Sequence, residues 1–132
     1  MLSNTADYAL RAVLALAHNG RSMRADEIAA ATGAPRNYLA KTLNALVKAR
    51  LLTSTRGPLG GFTLAVAPGA ITVARVVDLF AEPRRSPTCL LGAAPCNAAT
   101  PCAAHQRWTA LGAARRAPLV ATTVADLLGE AA

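Results

Sequence analysis

The sequence predicts a mainly α fold carrying one two-stranded β hairpin, and three observations predict it. Apolar residues recur at helical spacing from Thr5 to Ala49, interrupted at Asn19-Gly20 and Gly33. Two β-prone runs then flank a Gly/Pro-rich turn. Helical spacing resumes afterwards and is broken once by a cysteine-bearing stretch. The chain has 132 residues with one Trp, two Tyr and two Phe, so its core is built from small aliphatic side chains that suit closely packed helices. A monomer of this size leaves much apolar surface exposed, which favours an oligomer.

The first helix is expected from about Thr5 to His18, with Leu10, Val13, Leu14 and Ala17 as its apolar face, Asn4 or Thr5 as its cap and Asn19-Gly20 as its stop. A second helix is expected from Met23 to Thr32, with Ile28 and Ala29 inward. Gly33 supplies the left-handed turn at its end. Pro35 fits the first position of a third helix running to about Ala49, with Leu39, Leu43, Leu46 and Val47 on one side. Helix, short Gly-containing turn, helix is the layout of a helix-turn-helix. The runs Leu51–Thr55 and Phe62–Val66, joined by Arg56-Gly57-Pro58-Leu59-Gly60-Gly61, form a hairpin in the position of a wing. A further helix spans Ile71 to Ala81. A polar linker and the cysteine stretch follow, and a last long helix begins near His105 and carries Trp108 and Leu111. Pro118 kinks or stops that helix, and Thr123-Val124-Ala125-Asp126 is a capping box for a closing turn. The expected organisation is residues 1–81 as a winged helix-turn-helix, 82–104 as linker and cysteine-rich segment, and 105–132 as a long helix with a closing turn.

Charge narrows the function. The formal net charge is +7, and no Asp or Glu occurs from Ile28 to Val77, a stretch that holds Arg36, Lys41, Lys48, Arg50, Arg56 and Arg75. Basic side chains without local acids project positive potential, and a polyanion is their natural partner. The third helix turns its inner face to the core, so Arg36, Asn37, Tyr38, Lys41, Thr42 and Asn44 are expected on the face that meets double-stranded DNA. Arg and Asn suit base edges, and Tyr38, Lys41 and Thr42 suit phosphates. On the wing, Arg56 suits the minor groove, and Gly60 and Gly61 allow close approach to the sugar-phosphate. No run of about 20 apolar residues predicts a transmembrane helix. Asp7 and Arg11 interrupt the N-terminal apolar stretch, so a cytoplasmic protein is expected.

The three cysteines crowd together as Cys89-x6-Cys96-x5-Cys102, and His105 follows Cys102 at x2. Three thiolates and an imidazole are a ligand set for an iron–sulfur cluster or for zinc. Zinc sites normally use closer Cys-x2–4-Cys pairs, which are missing here. Redox-active thiols without metal are the other reading.

Four pieces of the chain are similar to one family. Asp7-Tyr8-Ala9-Leu10-Arg11 resembles an opening helix, Asn37-Tyr38-Leu39 the start of a recognition helix, and Arg56-Gly57-Pro58-Leu59-Gly60-Gly61-Phe62 a wing. Cys89, Cys96, Cys102, His105 and Trp108 resemble a cluster-binding pattern. Together they resemble the Rrf-type winged helix-turn-helix transcriptional regulators, the group that includes the IscR and NsrR repressors. The resemblance implies a homodimer in which the long helix after His105 crosses its counterpart. It also implies a cluster that reports on redox state, nitric oxide or iron–sulfur supply. Cys89, Cys96 and Cys102 would be ligands. The fourth would be His105, as in IscR-like members with a 2Fe–2S cluster, or Asp7 from the partner subunit, as in NsrR-like members with a 4Fe–4S cluster. The first cysteine interval is six residues where five is more usual, and Ala40 stands where IscR-like proteins can carry an acid.

The sequence therefore predicts a DNA-binding repressor on a palindromic operator, controlled by an iron–sulfur cluster. Two alternatives are a cluster-free thiol regulator and an iron–sulfur carrier, which would need neither wing nor acid-free stretch. A Cys102–His105 nucleophile pair lacks an orienting third group and an oxyanion motif, so no enzyme is expected.

Overall fold

The structure is a computed structural model that describes residues 3–58, 60–80 and 105–131. Its elements run α1 (Asn4–Asn19), α2 (Ala25–Thr32), α3 (Arg36–Lys48), β1 (Leu52–Thr55), β2 (Gly61–Leu64), a 3-10 turn (Pro68–Ala70), α4 (Val73–Asp78), α5 (His105–Ala121) and α6 (Val124–Ala131). The expected helix-turn-helix, wing and long C-terminal helix are all present.

Helix α1 is capped one residue earlier than its sequence suggests. Ser3 Oγ accepts from the Ala6 N–H at 3.2 Å, and Asn4 and Thr5 are already helical. Gly20 closes the helix in the left-handed conformation with its N–H on the Leu16 carbonyl at 3.0 Å. The buried stripe is Ala6, Ala9, Ala12, Val13 and Leu16; of the expected face only Val13 is fully inside, and Leu10, Leu14 and Ala17 are half-buried. Alanines take the innermost positions because α2, α3, α4, α6 and β2 all pack on this helix. The larger Leu10 and Leu14 flank the contact half-buried.

Helix α2 begins at Ala25, later than expected, because Met23 pairs with the wing. The Met23 N–H donates to the Phe62 carbonyl at 3.0 Å and the Phe62 N–H to the Met23 carbonyl at 2.7 Å. Neighbouring Gly61 makes this approach possible, since a Cβ there would sit 2.6 Å from the Met23 carbonyl oxygen. Pro35 caps α3 rather than opening it, and Arg36 is the first helical residue. Strands β1 and β2 pair antiparallel in the register Leu52↔Leu64 to Thr55↔Gly61.

Helix α4 is shorter than expected. Ile71 and Thr72 stay extended because the chain's C-terminal part claims their backbone: the Val73 N–H donates to the Thr122 carbonyl and the Val124 N–H to the Ile71 carbonyl, both at 2.9 Å. Helix α5 does not stop at Pro118 but runs on to Ala121. The missing proline N–H falls in the exposed last turn, where water can take the freed carbonyl. The capping box then forms as expected, with Thr123 N–H on Asp126 Oδ2 at 2.9 Å and Asp126 N–H on Thr123 Oγ1 at 3.1 Å. It starts a two-turn helix, and that helix returns to the winged-helix core. Val124 is fully buried beside Val13, Leu16, Ile28, Leu39, Leu43, Leu46, Leu51, Ile71 and Val76.

Removing the Thr123 hydroxyl (Thr123→Ala) should lower stability by about 1 kcal/mol in denaturant unfolding. The Thr123 N–H and hydroxyl hold the Asp126 carboxyl below the usual carboxylate range. A group whose pKa is depressed by folding stabilises the fold above its unfolded pKa and loses that contribution as pH falls through the folded value. Stability should therefore fall on acidification through and below the ordinary carboxylate range. Asp126→Asn should flatten that dependence, and an identical pH profile for the variant would contradict this account.

Candidate nucleic-acid interface

Helix α3 presents one exposed stripe. Asn37, Lys41, Asn44 and Lys48 follow at i, i+4, i+7 and i+11 and are all exposed. Leu39, Leu43 and Leu46 lie on the opposite side and are fully buried. Thr42 belongs with them, which corrects its expected place on the DNA face. It is 1% exposed, and its hydroxyl donates back to the Tyr38 carbonyl at 3.2 Å.

Arg36 opens the helix and pairs with Asp26 of α2, Nε to Oδ1 at 3.0 Å, both side chains well exposed. The acid-free stretch is thus not free of acidic partners in space. A pair this exposed contributes little and can yield to a phosphate. The Asn37 side-chain oxygen accepts from the Tyr38 N–H at 3.0 Å, leaving its amide N–H groups to donate outward. Tyr38 is half turned away: its hydroxyl bonds Thr5 Oγ1, and its ring meets Tyr8 edge-on at 5.9 Å. It ties the start of α3 to α1 as well as offering an exposed edge.

On the wing, Arg56 is exposed at the end of β1. Gly60 and Gly61 have reasons internal to the fold. A Cβ on Gly60 would lie 2.3 Å from the Thr55 carbonyl oxygen, and Gly61 makes room for Met23. Both glycines thus make room for the chain's own backbone.

Sequence reasoning counts Lys48 and Arg50 in the basic stretch without placing them, and it passes over Arg24. Arg24 donates to the Pro58 carbonyl and holds the wing turn, a contact between distant residues that leaves no local signal. Arg50 adopts a left-handed φ of 64°, and its N–H reaches the Val47 carbonyl at 2.9 Å. Gly or Asn would have marked that cap, and neither is present. Lys48 extends the α3 stripe, where amphipathic spacing could have placed it.

Cys89, Cys96 and Cys102 lie outside the described residues. His105 begins α5. Asp7 sits in the first turn of α1, where it pairs with Arg11 at 3.1 Å. The donor types, soft thiolates with an imidazole or carboxylate, fit an iron–sulfur cluster.

Residues 2–130 match the family described as "Rrf2: Iron-dependent Transcriptional regulator". A protein of Aquifex aeolicus that carries the name of an HTH-type transcriptional regulator is 36% identical over 131 residues, 97% of this chain and 91% of its own. The solved structure of CymR, the global cysteine regulator of B. subtilis, aligns with a TM-score of 0.81 at 25% identity, over 98% of this chain and 97% of its own. IscR of T. potens aligns with a TM-score of 0.79 at 24% identity, over 100% and 88%. No helix among the described residues is long and apolar enough to cross a membrane. The carrier and enzyme readings fall away: this chain belongs to the Rrf2 family of winged helix-turn-helix transcriptional regulators.

Proposed function

We propose that two copies of this chain bind a palindromic operator in double-stranded DNA, and that an iron–sulfur cluster held by Cys89, Cys96, Cys102 and His105 sets their affinity. The observation that carries the DNA reading is the exposed α3 stripe with Arg36 at its head and Arg56 on the adjoining wing. A recognition helix of this kind enters the major groove while the wing reaches the flanking backbone. The dimer reading is supported by α5, which is exposed from Ala110 to Pro118 and shows Leu111 and Val120 to solvent. A second copy covering this helix would set two recognition helices about one DNA turn apart, ~34 Å.

The regulatory reading rests on the cysteine spacing and the donor set. A cluster bound there supplies reactivity toward oxidants and nitric oxide. The chain's own residues supply the route from that segment to the DNA face. The cysteines immediately precede α5 in the chain. Arg116 of α5 forks onto Asp78 of α4 at 2.8 and 2.7 Å, and its hydrogen bonds hold the Asp78 carboxyl below its usual range. Helix α4 packs on α1, which carries α3. Movement at the start of α5 thereby reaches the recognition helix through packed elements. A His105 ligand favours a 2Fe–2S cluster, and Asp7 of the partner subunit would serve a 4Fe–4S cluster instead. A second reading, a cluster-free thiol switch, is favoured by the likeness to CymR.

Duplex affinity should fall with salt at a log–log slope of about −5, for roughly six neutralised phosphates. Lys41→Ala should weaken binding to all duplexes alike and reduce the slope by about 1 per protomer. Thr42→Val, a change in the core, should leave the slope unchanged. Fluorescence anisotropy reads all three, and absence of salt-sensitive duplex affinity would overturn the reading.

Protein isolated without oxygen should be coloured and contain iron and sulfide. Cys96→Ala should abolish the visible absorbance and shift duplex affinity by about 1–3 kcal/mol. A colourless protein whose affinity responds to oxidant would establish the thiol reading in its place.

A further inference from the structure

The α3 face is basic, yet an acid stands at its head. Asp26, in the first turn of α2, reaches across the turn to Arg36, the first residue of α3. In a helix-turn-helix the first helix crosses the phosphate backbone, where a carboxylate repels the ligand. The helix dipole accounts for an acid in the first turn of α2, but not for this pairing. Glu27 serves the dipole equally, and it is Asp26 whose Oδ1 lies 3.0 Å from Arg36 Nε. The side of contact matters. Asp26 meets the guanidinium at Nε, and the Nη1–Nη2 edge enters no ion pair among the described residues. Two parallel N–H donors on that edge match the O6 and N7 acceptors of guanine in the major groove. Asn37 follows with the same polarity. Its side-chain oxygen is taken by the Tyr38 N–H, so its amide is left to donate.

We propose that Asp26 is a positioning residue for base readout: it holds Arg36 at Nε so that the guanidinium is offered to a guanine and not to a phosphate. The inference rests on the DNA-binding reading and deepens it. A contact to guanine through the Nη edge leaves the ion pair intact. A phosphate contact that draws the guanidinium away breaks the pair and strands a carboxylate among phosphates. In the free protein the pair contributes little, because its side chains are 74% and 64% exposed. A duplex closing over it displaces water, and the same charges then interact more strongly. The two contacts therefore differ most in the bound state, where the sequence is read. Asp26 lowers affinity for every duplex by repulsion and lowers it least for the duplex with a guanine in reach. Discrimination of this kind comes from a penalty on the wrong ligand.

The test starts from selection of a random-sequence duplex library by the full-length protein. The selected half-site should carry a guanine whose replacement costs about tenfold in affinity. Anisotropy titration of the selected duplex and of the same duplex with that base pair changed gives a discrimination ratio. Asp26→Asn should cut the ratio to below about 3-fold and raise affinity for a scrambled duplex at least ~2-fold. Arg36→Ala should lose the same preference, and adding Asp26→Asn to it should change the ratio no further. Glu27→Gln removes an equal charge from the same turn, but not the one on Arg36, and should keep the ratio. All three side chains are exposed, so the core is untouched, and a general loss of folded protein would not move a ratio between two duplexes. The proposal is overturned by an unchanged ratio in Asp26→Asn, by an equal loss in Glu27→Gln, by a further loss in the Arg36→Ala background, or by a wild type with no guanine preference. Each of these is measured on bound duplex and leaves the DNA reading standing. Absence of salt-sensitive duplex affinity in the wild type would defeat that reading and this inference with it.

Discussion

Close packing of one alanine-rich helix is the constraint on which the other elements depend. Ala6, Ala9 and Ala12 are buried on α1 together with Val13 and Leu16, and this single stripe supports α2, α3, α4, α6 and β2. Small side chains let several elements approach one axis at once. A larger residue at Ala9, which has no exposed surface, would push at least one of them away, and overpacking of this kind typically costs about 1–3 kcal/mol. The position of the recognition helix is therefore set from behind. The Tyr38 hydroxyl on Thr5 and the Tyr8–Tyr38 edge contact fix the start of α3 to the same helix. The DNA face thus inherits its placement from α1 and not from anything on its own surface.

That dependence explains which parts of the fold were legible in the sequence. Elements with strong local signals were read correctly: the Gly20 and Gly33 stops, the Gly/Pro hairpin and the Thr123–Asp126 capping box. The inner face of α1 was misread because apolar spacing favours the bulky Leu10 and Leu14, while multi-sided packing favours the small residues beside them. Met23, Ile71 and Thr72 were assigned to helices on local pattern. Met23 pairs instead with Phe62, the Ile71 carbonyl accepts from the Val124 N–H, and Thr72 is bridged to Thr123, partners far along the chain that no window can see. In each case a tertiary hydrogen bond outweighed helix propensity, which is a weak preference of at most about 1 kcal/mol per residue outside proline.

The interface shows the same division. Its charged and amide side chains were legible because helical spacing places Asn37 and Lys41 together and extends naturally to Asn44 and Lys48. Thr42 was misassigned since a hydroxyl reads as polar, yet in a helix it can satisfy itself on the carbonyl one turn back and go inward. Gly60 and Gly61 also have a role that no local pattern reveals, since each makes room for backbone of the chain itself. The Arg36–Asp26 pair was invisible because it joins two helices across the turn. An exposed pair of this sort contributes between about 0 and 1 kcal/mol, so Arg36 is held in position without being withheld from a polyanion.

Two slender connections remain between this rigid block and everything that could modulate it. The wing is fastened at its base by the Met23–Phe62 backbone pair and at its turn by Arg24 on the Pro58 carbonyl. Helix α5 is fastened through the Asp78–Arg116 fork, and its far end by the Ile71–Val124 and Thr122–Val73 bonds that lead into α6. The Arg24–Pro58 contact and the Asp78–Arg116 fork stand exposed to solvent, whereas Met23, Ile71 and Val124 are buried and join the core. Signals that shift the geometry of the DNA face act most readily at such exposed points, because a close-packed core resists graded change. Separate fastenings for the wing and for α5 allow two inputs to reach one DNA face by different routes.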